Sequence, residues 1–141
     1  MPENINLSRF TIEHKRSFDR ALSEIRRGRK LSHWMWYIFP QMRGLGTSYM
    51  ANFFGIRSLD EARAFVADEY LGGNLREISH ALLALESNDP RAVMGVPDNM
   101  KLRSCMTLFL HATDDNAVFR AVLDKYFGGE EDPRTLELLG L

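Results

Sequence analysis

The feature that most constrains this chain is a short aromatic stretch that ends at a proline and two glycines. The segment from His33 to Phe39 holds both tryptophans of the protein, a tyrosine and a phenylalanine, and Pro40, Gly44 and Gly46 follow it. Aromatic side chains bury more apolar area than most others, so such a dense cluster belongs at the centre of a core or a pocket. The residues after it are polar and turn-forming. The stretch therefore predicts a pocket with aromatic side chains at its base and polar side chains at its entrance, which is typical of a ligand site.

We expect this site to bind a small polar or nucleotide-derived ligand, such as a fragment of NAD or ADP-ribose. A tryptophan could stack on a base, and the Gln41 amide offers both a donor and an acceptor. Arg43 and the glycine loop lead into a helix N-terminus, which favours anions. The candidate binding residues are His33, Trp34, Trp36, Gln41, Arg43, Gly44, Gly46 and Ser48, with Asp98, Lys101 and Ser104 from a later helix.

Length and charge exclude several other classes of protein. The chain has 141 residues, 45% of them hydrophobic, which favours one domain over residues 1–141. A net charge of -1, from 18 basic and 19 acidic residues, gives no field that would attract nucleic acid or an anionic membrane. Cys105 is the only cysteine, so we expect no disulfide and a cytoplasmic location. The expected state is a monomer or a weak homo-oligomer.

Helical periodicity and capping signals run along most of the chain, whereas sustained alternation and hairpin signals do not occur. The sequence therefore predicts an all-α fold, a compact domain of about six to eight helices. The clearest helix start is Ser58-Leu59-Asp60-Glu61, which matches a capping box. Asp89-Pro90 and Asp132-Pro133 each combine an N-cap with proline at the first helical position.

Other local signals predict the helices around the aromatic stretch. Ser32 is expected to cap a short aromatic helix that Pro40 ends, since proline lacks a backbone donor. Thr47 or Ser48 is expected to start a second short helix that stops at Gly55. Because nearly all its residues are apolar, we expect that helix to lie inside the protein.

Further boundaries are expected in the second half of the chain. A helix that starts at Leu59 is expected to end near Tyr70, where Leu71-Gly72-Gly73 breaks it. Asp98 is expected to cap the helix that follows it, and either Asp114 or Asp115 the next one.

Motifs spread along the chain resemble those of a known family. They are His33-Trp34-Met35-Trp36-Tyr37-Ile38-Phe39-Pro40-Gln41, Gly44-Leu45-Gly46-x-Ser48, Glu61-Ala62, Leu71-Gly72 and Asp98-x-x-Lys101-Leu102-x-Ser104-x-Met106-Thr107-Leu108-Phe109. In this order and spacing they are similar to the motifs of domain of unknown function 1810. The resemblance implies a mostly helical, single-domain protein without an established activity. Some members of that family are labelled calpastatin, but calpain-inhibitor repeats are polar and disordered, unlike this core-rich chain.

The candidate residues also have ordinary structural interpretations. The glycines would then supply turn geometry, Asp98 would cap a helix, Lys101 would be solvated and Ser104 would fill a tight helix crossing. A Rossmann site is disfavoured because Tyr49 stands where the third glycine belongs. The four histidines show no metal-ligand spacing, so we expect no metal and no cofactor.

Two classes of function remain open on the sequence. In one, the protein binds a small ligand over Trp34 and Trp36, with or without a reaction. In the other, it is a non-catalytic interaction or structural module whose tryptophans belong to the core. Paired carboxylates for hydrolytic chemistry are not evident, since Asp98 is the only acid placed near the aromatic cluster.

Overall fold

A computed structural model describes residues 5–141, which form nine α-helices. They are α1 (Ser8–Arg26), α2 (Met35–Ile38), α3 (Tyr49–Phe54), α4 (Leu59–Ala67), α5 (Glu69–Ala84), α6 (Pro90–Met94), α7 (Asp98–Ala112), α8 (Ala117–Phe127) and α9 (Pro133–Leu139). The expected count of six to eight was too low, because α2, α3, α6 and α9 are separate helices although none exceeds seven residues. Within residues 5–141 the one extended pairing is an isolated bridge between Met42 and Ile56. The all-α class is confirmed.

The central helix is α7. Every residue from Ser104 to Leu110 is buried, including the polar side chains of Ser104 and Thr107. It packs against α4, α6, α8 and α9, while α1 packs against α5. The ring of Phe109 lies 5.4 Å from that of Phe65 in α4 and 6.0 Å from that of Phe119 in α8. One hydrophobic core therefore joins the helices.

The break between α4 and α5 lies at Asp68, and the expected break at Leu71-Gly72-Gly73 was wrong. The Asp68 carboxylate accepts a hydrogen bond from the Leu71 backbone N–H at 2.8 Å, so it caps the start of α5. A Cβ at Gly72 would lie 2.1 Å from the Val66 carbonyl oxygen. Glycine is therefore needed at this position inside α5, because it lets the end of α4 approach the new helix.

The expected position of α3 in the interior was also wrong. Its start is as predicted, since Ser48 accepts a hydrogen bond from the Ala51 N–H at 3.1 Å. Of its six residues only Phe54 is buried, and Tyr49 is 75% exposed. A helix of fewer than two turns can turn only one side to the core, so the other aromatic rings remain at the surface.

Most of the predicted caps are confirmed. Ser58 accepts a hydrogen bond from the Glu61 N–H, and Asp89 and Asp132 cap α6 and α9. The other half of the expected capping box was wrong, because the Glu61 carboxylate accepts from the Arg57 N–H at 3.1 Å and pairs with Arg9 at 2.8 Å. Three expected caps were wrong, among them Ser32, which does not cap α2. Asp98 lies within the first turn of α7 and forms ion pairs, and Asn116 rather than an aspartate precedes α8.

Candidate functional site

A narrow cleft separates α2 from α3. Its empty space is about 240 Å³, including the part open to solvent. The lining is mainly apolar and comes from both helices, the loop between them and α7, namely Met35, Trp36, Phe39, Gln41, Met50, Ala51, Phe54, Gly55 and Lys101. Three of the predicted site residues, Trp36, Gln41 and Lys101, thus lie around one cleft.

Close contacts around two glycines set the shape of one wall of the cleft. A Cβ at Gly46 would lie 2.8 Å from the Cβ of Ala51, and one at Gly55 would lie 2.7 Å from the Ala51 carbonyl oxygen. Real Cβ atoms do not approach other atoms so closely. The loop is closed at its base, where the Ile56 N–H donates to the Gln41 carbonyl at 2.9 Å. Gly46 therefore serves the packing of the loop on α3.

Charged side chains stand at the α7 side of the cleft. The ammonium of Lys101 lies 5.2 Å from the centre of the Trp36 ring, within the range of a cation–π interaction. It also lies 3.6 Å from one oxygen of Asp98, whose other oxygen is 2.9 Å from the ammonium of Lys30. The Asp98 carboxylate therefore pairs with two lysines, and of these two Lys101 reaches the cleft.

Trp34 lies away from the cleft, in the core. It is 1% exposed, and its indole N–H donates to Glu24 at 2.9 Å. The Glu24 carboxylate also accepts hydrogen bonds from the backbone N–H groups of Leu31 and Ser32 and from the Ser32 hydroxyl. The expectation that Ser32 caps α2 was wrong, because its side chain binds Glu24 and Trp34 occupies the N-cap position. These contacts fix the segment that enters α2.

The Glu24 carboxylate is held in its charged form. Burial by itself would raise its pKa, but the hydrogen bonds from Ser32, Leu31 and Trp34 outweigh that effect and lower the pKa to about 2. A second lysine ammonium, that of Lys30, lies 4.8 Å from the Trp34 ring centre. This region therefore contains a buried, hydrogen-bonded anchor.

The remaining residues predicted around the aromatic stretch lie outside the cleft lining. His33 is exposed, and its carbonyl accepts a hydrogen bond from the Tyr37 hydroxyl at 3.1 Å. Arg43 is exposed, and Gly44 has a φ of +106°, so it provides the turn after the aromatic helix. Ser48 caps α3 with its hydroxyl.

Ser104 belongs to a different polar group, between α7 and α9. Its hydroxyl donates to the Asp132 carboxylate at 3.0 Å, and the same carboxylate accepts from the N–H and the hydroxyl of Thr135. The Asp132 N–H donates in turn to the Thr107 hydroxyl at 2.8 Å. Ser104 therefore attaches α9 to the central helix.

The sequence reasoning overlooked several residues that build this region. The apolar walls of the cleft consist of Met35, Phe39, Met50 and Phe54. Their spacing of four residues, from 35 to 39 and from 50 to 54, was the available signal in the sequence that the members of each pair share a face. His14 was also overlooked, although it supports α2 from behind. Its Nε2 lies 2.7 Å from the Tyr37 carbonyl, and its Nδ1 lies 3.2 Å from the Asn74 amide nitrogen.

The buried titratable groups are arranged for structure. Burial lowers the pKa of His14 to about 4, although the hydrogen bond to the Tyr37 carbonyl acts in the opposite direction. The ring is therefore neutral at pH 7, with Nε2 as donor and Nδ1 as acceptor. Burial raises the pKa of the Cys105 thiol well above its ordinary value, so this cysteine is a poor nucleophile.

Within the described part of the chain, no group of three or more His, Cys, Asp or Glu side chains could hold a metal ion.

Comparison with known proteins shows the family. Residues 4–139 match a family described as protein of unknown function, DUF1810, and the chain belongs to that family. It is also similar to the conserved hypothetical protein Rv1873 from Mycobacterium tuberculosis, whose crystal structure was determined at 1.38 Å. The two share 42% identity over 99% of each chain, with a TM-score of 0.95. Among curated proteins no sequence matches this chain. The resemblance inferred from the motifs is thus confirmed.

The helices give one further constraint. Between residues 5 and 141, none combines the length and the hydropathy that a membrane span requires.

Proposed function

We propose that this protein binds a small molecule in the cleft between α2 and α3. The observation that carries the proposal is the meeting of Trp36, Gln41 and Lys101 around one mostly apolar cleft. An apolar cavity with a few convergent polar groups is the usual form of a small-molecule site. The exposed part of the Trp36 ring would contact a flat portion of the ligand.

The polar groups at this cleft are available for a ligand. Among residues 5–141 the Gln41 side chain makes no hydrogen bond, so its amide can offer a donor and an acceptor. Lys101 is held in place by Asp98 and by the ring of Trp36, which reduces the side-chain entropy lost on binding. The proposal includes nucleotide-derived ligands, of which only the base or another small portion would enter a cleft this narrow.

Intrinsic fluorescence tests the proposal directly, because Trp36 lines the cleft and Trp34 does not. We expect a library of nucleosides, nucleotides and small aromatic compounds to contain members that change the emission of the wild-type protein and raise its melting temperature. The matched control is Trp36→Phe, which keeps a ring in the cleft but leaves Trp34 as the only tryptophan. The emission change should disappear in this variant, while the thermal stabilisation should largely remain.

A change that persists in Trp36→Phe would place the ligand elsewhere. If no member of the library alters either signal in the wild type, the small-molecule proposal fails.

A second candidate function is a non-catalytic interaction module, and one observation favours it. Tyr49 and Phe53, 75% and 42% exposed, stack at 5.9 Å on the outer side of α3. Exposed aromatic pairs are frequent in protein interfaces. Under this alternative, Tyr49→Ser with Phe53→Ser would abolish a protein interaction and leave the response of Trp36 to small ligands unchanged.

A further inference from the structure

We infer that the ligand of the α2–α3 cleft is a small aromatic or heteroaromatic monoanion, with one carboxylate directed at Lys101. The inference rests on the proposed function and names the chemical class of the ligand. Its basis is the charge balance behind the cleft, the nature of its walls and its size.

The charge balance leaves one positive charge for the ligand. Lys30 and Lys101 share the single carboxylate of Asp98, so two ammonium groups and one carboxylate carry a net charge of one. Lys30 is the closer partner, at 2.9 Å, and its ammonium also donates to the Ser32 carbonyl at 2.5 Å. Its side chain is 7% exposed, so it stays with Asp98.

Lys101 is the cation that remains available. Its side chain is 26% exposed, and its distance of 3.6 Å from Asp98 exceeds that of an N–H···O hydrogen bond. A ligand carboxylate could therefore bond to Lys101 without removing the partner of Lys30. Lys101 is the only charged residue among the described residues that line the cleft, so a polyphosphate would bring several negative charges to one lining cation and would also meet the nearby carboxylate of Asp98.

The walls of the cleft favour an anion whose main part is apolar and flat. The partly exposed Trp36 ring forms one side, and the side chains of Phe39, Met50 and Phe54 lie around the remainder. Methionine and aromatic side chains make favourable contacts with a planar ring. The Gln41 amide at the edge can pair with a ring nitrogen or a ring substituent.

The size of the cleft favours a single ring. The empty space of about 240 Å³ includes open solvent, so the enclosed part of the cleft is smaller than this. A single ring would lie against Trp36 at the entrance of the cleft, whereas a whole nucleoside diphosphate would extend far into the solvent.

A titration series on the full chain tests the charge of the ligand. The probes are benzoate, its neutral isostere benzamide, the dianion phenyl phosphate and ADP, each followed by tryptophan emission in wild type and in Trp36→Phe. We expect benzoate to bind at least about tenfold more tightly than benzamide and phenyl phosphate, with ADP the weakest. Lys101→Met should remove the preference for benzoate over benzamide, and Lys101→Arg should restore it.

Asp98→Asn provides a second, opposite test. Removing this carboxylate leaves two lysines without their shared partner, so the preference should move toward phenyl phosphate by about tenfold relative to wild type. Circular dichroism and thermal melting establish that each variant is folded.

The possible results separate the two proposals. If benzamide and benzoate bind equally through Trp36 and Lys101→Met has no effect, the cleft is a ligand site but the inferred anion is wrong. A tighter fit for ADP or phenyl phosphate than for benzoate in the wild type also overturns the inference. If none of the four probes changes the emission of Trp36, the inference fails outright, and the wider library decides the proposed function.

Discussion

The two tryptophans stand two residues apart, and each has a lysine ammonium near its ring, yet their environments are opposite. Trp34 is buried and bonded to Glu24, next to the ammonium of Lys30. Trp36 is partly exposed and lines the cleft, next to Lys101. Residues two apart on a helical turn are separated by about 200°, so they face nearly opposite sides. Residue type alone therefore does not distinguish an anchor from a binding surface here.

The largest effect is expected for the anchor. Trp34→Ala should lower the free energy of unfolding by about 3 to 5 kcal/mol, because it leaves a cavity and removes a donor from the Glu24 carboxylate. Chemical denaturation measures this directly. A loss below about 1 kcal/mol would show that the segment entering α2 does not depend on this ring, and the contrast between the two tryptophans would break down.

A smaller effect is expected for the partner of that ring. Glu24→Gln keeps the size of the side chain but replaces a charged acceptor, so it should cost about 2 to 3 kcal/mol at pH 7. The folded pKa of about 2 lies below the usual 4.5, so the contribution is fully present above pH 4.5 and is lost as the pH falls toward 2.

Denaturation at a series of pH values follows that contribution. Wild type and Glu24→Gln should converge in stability between pH 4.5 and 2. A constant difference over this range would mean that the charge of Glu24 contributes nothing.

The cleft should tolerate substitution better than the anchor. Trp36→Ala should cost about 1 to 2 kcal/mol, since its ring is only partly buried and part of its contact area already faces solvent. The same denaturation experiment, carried out beside Trp34→Ala, gives the comparison. Equal losses for the two variants would show that Trp36 belongs to the core and would remove the main support for a ligand site.

The smallest effect on stability is expected at the edge of the cleft. Gln41→Ala should change the free energy of unfolding by no more than about 0.5 kcal/mol, because its side chain makes no hydrogen bond within residues 5–141. It should nevertheless weaken any ligand that depends on Trp36, as read from thermal stabilisation. The matched control is Arg43→Ala, which removes an exposed side chain outside the cleft lining and should alter neither quantity. Equal binding by both variants would remove Gln41 from the site.

Among the predicted site residues, those that share the cleft come from distant parts of the sequence. Trp36 and Gln41 were predicted from the aromatic stretch, and Lys101 from a polar turn of a later helix. Ser104 lies one turn after Lys101, but it contacts Asp132 on the side of α9. Which neighbour each face of α7 meets depends on packing, so residue spacing could not separate the two.

Local chemistry in the sequence determined the helices and most of their ends. The Ser58 cap and the Asp89-Pro90 and Asp132-Pro133 starts are interactions within four residues, so they act in the same way whatever the rest of the chain does. The family, too, could be identified from motifs alone.

Only the tertiary structure decided what the aromatic stretch does. The Ser32 hydroxyl donates to Glu24 instead of capping α2, and Asp98 pairs with Lys30 instead of capping α7. These partners are up to 68 residues apart, and their contacts form only when helices pack and bury the groups that need partners. The roles of Trp34 as an anchor and Trp36 as a cleft wall follow from that packing, because burial and hydrogen bonding are properties of the assembled core and not of any single segment.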